Sequence, residues 1–252
     1  MNMKILPLIP AVLLILFCAP GCGGHDKPAA ERSDTAVSLK GLWVNKAYVD
    51  TLLLTHSPQA AQNVGYPTCL YFFDTVEPSV FVELGFHEGT WWSVVRSHDT
   101  VMLCDSGAKR NLGKIETISP EELRFGQQRF IKLKHPNRDS YDDAIVEELL
   151  FAGSYTTKEG ATIRFSPDGR IEGWEDTIRY FVPFADYEGP GLNVDQVELG
   201  ANKDKLKQYA FKFDKDTLLI YTLKCLEGYD STDNSCGVVD FGDLKWKLLK
   251  RH

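Results

Sequence analysis

The stretch Ser79–Gly89, "SVFVELGFHEG", decides the fold class. Val80, Val82, Leu84 and Phe86 fall on one side of an extended chain; Phe81, Glu83 and His87 fall on the other. A period of two belongs to a strand with one wet face, and a helix cannot produce it. Segments of the same kind recur around it. "CLYFF" begins at Cys69, "TWWSVVR" at Thr90, "TVMLC" at Thr100, "GKIETI" at Gly113, "ELRF" at Glu122 and "RFIKLK" at Arg129. Turn-forming runs such as "EPS", "HEG", "SHD", "DSG" and "SPE" separate them. Strands spaced by roughly 8–12 residues indicate an all-β sandwich or barrel.

The alternation breaks at "HPNRDSYDDAIVEELL", 135–150. Ser140-x-x-Asp143 resembles a capping box, Asp142 and Asp143 suit a first helical turn, and Tyr141/Ile145/Leu149 with Val146/Leu150 keep helical spacing. A short helix from about Tyr141 to Leu150 is expected. Strands then resume: "GSYTT" from Gly153, "ATIRF", "GRIEGW", "TIRYFV", "QVEL", "QYAFKFD", "TLLIYTLKC" and "LKWKLLK", with "SPDGR" as a tight turn between the second and third. Arg164, Lys245 and Lys247 read as the wet faces of half-buried strands.

The halves look like weak repeats. One opens on "KGLWVN" and closes on "RFIKLK"; the other opens on "AGSYTT" and closes on "LKWKLLK". Each holds about eight strands, enough to close into a barrel and remove its sticky edges. The expected architecture is two tandem antiparallel up-and-down β-barrels, 37–136 and 151–252, joined by a linker with a short helix, 137–150.

Gly41-x-Trp43 followed by a strand meander resembles the lipocalin and wider calycin families, and most closely lipocalin-like bacterial lipoproteins. The resemblance implies up-and-down barrels in which the first-strand Trp packs near a basic residue of the last strand, here Lys132 or Arg129. In the second half Tyr155 stands where Trp is usual. The implied function is binding rather than catalysis.

The N-terminus points to export. After Lys4, Ile5–Phe17 runs for 13 residues without a charge. A membrane-spanning helix needs about 20 apolar residues, whereas a signal peptide's apolar region needs 7–15. Cys18, Ala19, Pro20, Gly21 and Cys22 follow. This resembles a bacterial lipoprotein signal, which implies removal of 1–21 and a diacylglycerol on Cys22, although Ala19 and Pro20 depart from the usual pattern. Cys18 is the poorer modification site because bulky Leu16 and Phe17 precede it. The alternative is an ordinary secretory signal cut nearby. Residues 22–36, rich in Gly, Pro, Ala and charge, read as a flexible tether. Gly23 after the cysteine implies sorting to the outer membrane, on either face.

Four further cysteines remain, Cys69, Cys104, Cys225 and Cys236, and four allow three pairings. Disulfides are permitted in an exported protein. Cys225–Cys236 would close the 12-residue "CLEGYDSTDNSC", worth about 3 kcal/mol in the loop-entropy model. Cys69–Cys104 is the companion pair; buried reduced thiols are the alternative for all four.

A formal net charge of −7 and the absence of a basic block argue against nucleic-acid binding. No GxSxG elbow or P-loop occurs, and "GPGL" at Gly189–Leu192 lacks the context of a nucleotide site. His87 and His98, with Glu83 or Glu88, could hold a weak metal site, but solvated turn residues account for them better. The acidic run Glu227–Asp243 offers calcium-like ligands without the spacing of a calcium loop; a stapled, solvated loop is the simpler account. Neither metal nor cofactor is expected. Trp91 and Trp92 are adjacent in a strand, so they must face opposite sides. One of them should face outward or line the barrel mouth as a ligand contact; cover by the helix or the other barrel is the competing account. The ligand left open for a binding protein of the cell envelope is a small apolar molecule, a sugar or a protein partner. Two further readings remain: an enzyme on envelope or extracellular polysaccharide using Glu172, Glu175 and Asp176, and an interaction or inhibitor module presenting Glu227–Asp243.

Overall fold

The computed structural model describes residues 38–73, 79–85, 88–97, 100–105, 107, 110–134, 145–175, 177, 179–182, 193–202, 205–229, 232 and 236–251. The signal segment, Cys22 and the tether lie outside these residues. So do Phe86, His87, His98, Ser140–Asp143, Asp176 and Gly189–Leu192.

Eight strands form the first barrel: β1 (Gly41–Asn45), β2 (Cys69–Phe72), β3 (Ser79–Gly85), β4 (Glu88–Ser97), β5 (Thr100–Asp105), β6 (Arg110–Ser119), β7 (Glu122–Phe125) and β8 (Gln128–Lys132). Each pairs antiparallel with the next, and β1 closes on β8 with Trp43 opposite Lys132. The period-two residues face inward as their spacing demands. Trp43, Leu70, Phe72, Val80, Val82, Val94, Leu103, Ile115, Leu123 and Phe130 make one buried cluster.

The second barrel repeats the meander with β9 (Gly153–Thr156), β10 (Thr162–Phe165), β11 (Ile171–Glu172), β12 (Arg179–Phe181), β13 (Gln196–Gly200), β14 (Leu206–Asp214), β15 (Thr217–Glu227) and β16 (Val238–Lys250). β16 returns to β9, with Lys250 opposite Tyr155. Between the short β11 and β12 the wall is nearly closed by a single bridge, Arg170 to Arg179, and by Tyr180 N–H donating to Gly169 O at 2.9 Å. The molecule is therefore all-β with two eight-stranded antiparallel barrels, as the alternation and strand spacing predict.

Two helices were not expected: α1 (Lys46–Thr55) and α2 (Pro58–Ala61), both in the β1–β2 connection. Buried Asn45 starts α1. Its Oδ1 accepts from Ala47 N–H at 3.0 Å, and its Nδ2 donates to Pro67 O at 3.1 Å and Gln128 Oε1 at 3.3 Å. The helical link reaches the described residues at Ile145 and continues as a π-helical turn, Glu147–Phe151.

The barrels share a core. Tyr48, Val49 and Leu52 of α1, the outward Leu42, Val44 and Cys69 of the first barrel, and Ile145, Val146, Leu150 and Phe151 of the link form one cluster. The interior of the second barrel continues it. One carboxylate is carried inside this core, and another lies half-buried just before β13. Glu147, fully buried, accepts from Val182 N–H at 3.0 Å. Asp195 accepts from Gln59 N–H of α2 at 2.9 Å, across the two barrels. Burial pushes Asp195 above its ordinary 3.8, opposed by its bonds to Ser57 and Gln59.

A proton-linked stability follows from that carboxyl. Above the unfolded value the native state holds the proton more tightly, so the native state binds more protons. Stability contributed by this group is complete below the unfolded value and declines as pH rises through the higher native one. Urea midpoints of the wild type and Asp195→Asn, measured from pH 3.5 to 7, should differ by a slope of that sign. Parallel profiles would remove Asp195 from the linkage.

Candidate functional site

Both barrels carry the same lock where the first strand meets the last. Trp43 Nε1–H donates to Leu39 O at 2.6 Å, four residues back. Lys132 Nζ lies 5.1 Å from the Trp43 ring centroid and donates to Ser38 O at 3.1 Å. In the second barrel Tyr155 Oη–H donates to Phe151 O at 2.8 Å, again four residues back. Lys250 Nζ lies 5.7 Å from the Tyr155 ring and donates to Leu150 O at 3.1 Å. Tyr thus does the work of Trp, because both offer a flat ring with a donor at its far edge. Of the two basic candidates for the first barrel, Lys132 is the partner; Arg129 faces outward and pairs with Glu122.

The glycine of each motif has a physical reason. Gly41 sits at φ 118° and Gly153 at φ 143°, a region that side chains rarely adopt. A Cβ on Gly153 would also come within 3.1 Å of Lys250 Cε. Gly153→Ala should cost about 1–3 kcal/mol, the usual strain of such a position, read from chemical denaturation. An unchanged midpoint would show that the turn relaxes.

The locked end of each barrel is plugged. Leu39 is 2% exposed over the first barrel's core. Phe151 is fully buried beneath the second, with its ring 5.9 Å from Phe165, 5.7 Å from Tyr180, 4.9 Å from Phe211 and 5.5 Å from Phe213. One layer further along β14 and β16 the aromatics are only half-buried. Trp174, from the β11–β12 connection, lies 4.8 Å from Trp246, which lies 5.1 Å from Tyr209. Lys207 is exposed two residues beyond Tyr209 on the same face of β14. Lys245 Nζ lies 5.8 Å from the Trp246 ring centroid. Aromatic faces with cations beside them suit an apolar or sugar-like ring, above all one with an anionic group.

Trp92 points inward in the first barrel, half-buried, with its ring 5.7 Å from Phe125. Trp91 points outward and is 45% exposed. The tryptophans thus fall on opposite faces, as strand geometry requires.

Cys225 and Cys236 are disulfide-bonded, with Cα atoms 5.8 Å apart. The bond staples the β15–β16 hairpin. This arm packs Val239, Tyr221, Leu223 and Phe241 around Val194 and Ala210, and Asn193 grips the Val239 backbone from both sides, Nδ2 donating to O at 2.5 Å and Oδ1 accepting from N–H at 3.0 Å. For Cys69 and Cys104 the alternative of unbonded thiols holds. Cys69 is on β2 and Cys104 on β5, three strand spacings apart, about 14 Å, and a disulfide needs Cα atoms within about 7 Å.

Glu83, placed on a wet face by its alternation, is only 7% exposed. Glu172 and Glu175 are both exposed, without the desolvated setting an acid/base pair needs. Among the described residues no three His, Cys, Asp or Glu side chains gather to hold a metal ion.

Comparison with known proteins returns no matching family model, curated protein or solved structure. The geometry stands alone. Sequence reasoning missed Trp174, Tyr209 and Trp246 as a group. They lie on separate elements, and only the barrel's curvature brings their rings together.

Proposed function

We propose that this chain is a lipid-anchored, non-catalytic, lipocalin-like binding protein of the cell envelope. Its ligand sits on the half-buried Trp174–Tyr209–Trp246 cluster of the second barrel. The observation that carries this reading is the contrast between the ends of the aromatic column. Phe151 closes one end completely, while two tryptophans and a tyrosine remain within reach of solvent at the other. Burial of an apolar body against these rings would exclude water, and Lys207 would orient an anionic group. The resemblance at Gly41 and Trp43, and the matching lock around Tyr155, support the family reading. The Cys22 signal supports the anchor, at the outer membrane on either face.

The test uses 1-anilinonaphthalene-8-sulfonate, an apolar anionic fluorophore. It should bind with energy transfer from tryptophan, and Trp174→Ala, in a connecting segment, should weaken binding by tenfold or more. Equal binding by the variant would sink the site. Native mass spectrometry of the protein extracted from its own membrane would identify a natural occupant and report a diacylglycerol on Cys22. A mature mass that begins beyond Cys22 would remove the anchor.

A further inference from the structure

The β15–β16 hairpin leaves its barrel partway along. β14 runs from Leu206 to Asp214, but its ladder with β15 ends at Ala210 opposite Tyr221. From Thr222 to Glu227, β15 pairs with β16 alone among the described strands. Register shifts on either side of Tyr221 mark the bend. There Asp243 N–H donates to Thr222 Oγ1 at 2.9 Å, and a Cβ on Gly242 would collide with that hydroxyl.

Past the bend the arm is folded back on the outside of the barrel. Ala210 lies between the inward Tyr209 and Phe211, so it faces outward, yet it is fully buried. Leu223, Cys236, Val239 and Phe241 of the arm cover it, together with Val194. The double grip of Asn193 on the Val239 backbone holds the arm in place. Lys212 adds to that hold, its Nζ 5.2 Å from the Tyr221 ring and 5.3 Å from the Phe241 ring. The Cys225–Cys236 bond keeps the arm in one piece.

The interruption of the ladder borders the aromatic cluster. Leu206–Tyr209 of β14 have β13 on one flank and, among the described residues, no strand on the other. That stretch carries Lys207 and Tyr209, and Trp246 stands opposite Ile220, just before the bend. Continued along β14, the same register would set Thr222 opposite Tyr209 and Lys224 opposite Lys207. Alternation from the inward Leu218 and Ile220 puts Lys224 on the ligand side. Where it now stands, Lys224 is exposed. Like charges directly opposite on neighbouring strands repel, so the empty site keeps the arm out, and an anion between the two lysines would remove that cost.

We infer that the arm is a strap that closes over an anionic ligand: released from the outer wall, Thr222–Cys225 pairs with Leu206–Tyr209, and Lys207 and Lys224 hold the anion from both sides. The inference rests on the ligand reading of the Trp174–Tyr209–Trp246 cluster and adds to it a lysine from the outside of the barrel.

The experiment compares 1-anilinonaphthalene-8-sulfonate with N-phenyl-1-naphthylamine, the same ring system without the sulfonate, on the full chain. Lys224→Gln should weaken sulfonate binding about threefold, as loss of one exposed charge contact does, and leave the neutral amine unchanged. Lys215→Gln, the same change at the exposed turn before β15, should alter neither. Asn193→Ala, which frees the arm, should tighten sulfonate binding. Unchanged sulfonate affinity in Lys224→Gln, an equal loss in Lys215→Gln, or an equal loss for the neutral amine overturns the strap. So does unchanged or weaker sulfonate binding by a folded Asn193→Ala. Should that variant not fold, amide exchange of the wild type decides: the sulfonate alone should slow exchange at Leu206–Tyr209, and equal exchange with both probes overturns the strap. Trp174→Ala separates the two ideas. Sulfonate bound equally by that variant removes the site and the strap together; sulfonate weakened there but not in Lys224→Gln keeps the site and removes the strap.

Discussion

Replacing Phe151 with alanine should lower stability by about 3–5 kcal/mol, the range for emptying a buried aromatic site. The ring is fully buried and touches four others, Phe165, Tyr180, Phe211 and Phe213, so little of the space can be recovered by collapse. The residue also belongs to the cluster that joins α1, the link and the second barrel. The loss should therefore appear as one cooperative transition at a lower urea midpoint. Two separated transitions would mean that the barrels unfold independently despite their shared core. Phe151→Leu, closer in volume, should cost under about 1.5 kcal/mol if the backbone bond from Tyr155 survives. A smaller effect for alanine than for leucine would contradict the plug.

The second large effect belongs to Trp43. Alanine there should cost a similar 3–5 kcal/mol, because the side chain is fully buried and is the largest in its cluster. Trp43→Phe divides that sum. It keeps a ring for Lys132 but removes the Nε1–H donor to Leu39 O, and a buried carbonyl left without its donor costs about 1–3 kcal/mol. A double-mutant cycle of Trp43→Phe with Lys132→Met should show coupling of at least about 0.5 kcal/mol, since both hold the same entering segment. Additive effects would dissolve the lock into two unrelated contacts. Denaturation followed by near-ultraviolet circular dichroism reads all of these. An exposed control, Trp91→Ala, should move the midpoint far less.

Alternation made the sixteen strands legible, because in a barrel with an apolar interior each strand writes its orientation into every second residue. α1 was hidden by the same physics. Its buried face is only Tyr48, Val49 and Leu52, while Leu53 and Leu54 are 46% and 84% exposed, so the helical stripe is blurred. That two tryptophans must oppose each other was legible from adjacency; that Trp91 faces outward needed the register. Glu83 read as wet because the covering of an outer wall by its neighbours leaves no mark on the strand itself. Glu147 sat in an acidic helical run, and only the Val182 N–H that it meets 35 residues later makes it an interior group. The cysteines divided for a related reason. Cys225 and Cys236 are close along a hairpin, whereas the separation of Cys69 from Cys104 depends on how many strands the barrel places between them.

The closing of the first barrel through β1 also fixes how the molecule bears load. A pull from the N-terminal side reaches the fold at Ser38, beside Lys132, and passes into β1, which is held along its length by β2 on one flank and β8 on the other. Force along that strand shears both ladders at once instead of opening one bond after another. The first strand to feel tension is thus paired on both flanks, as every strand of this closed barrel is, so it has no free edge from which to peel.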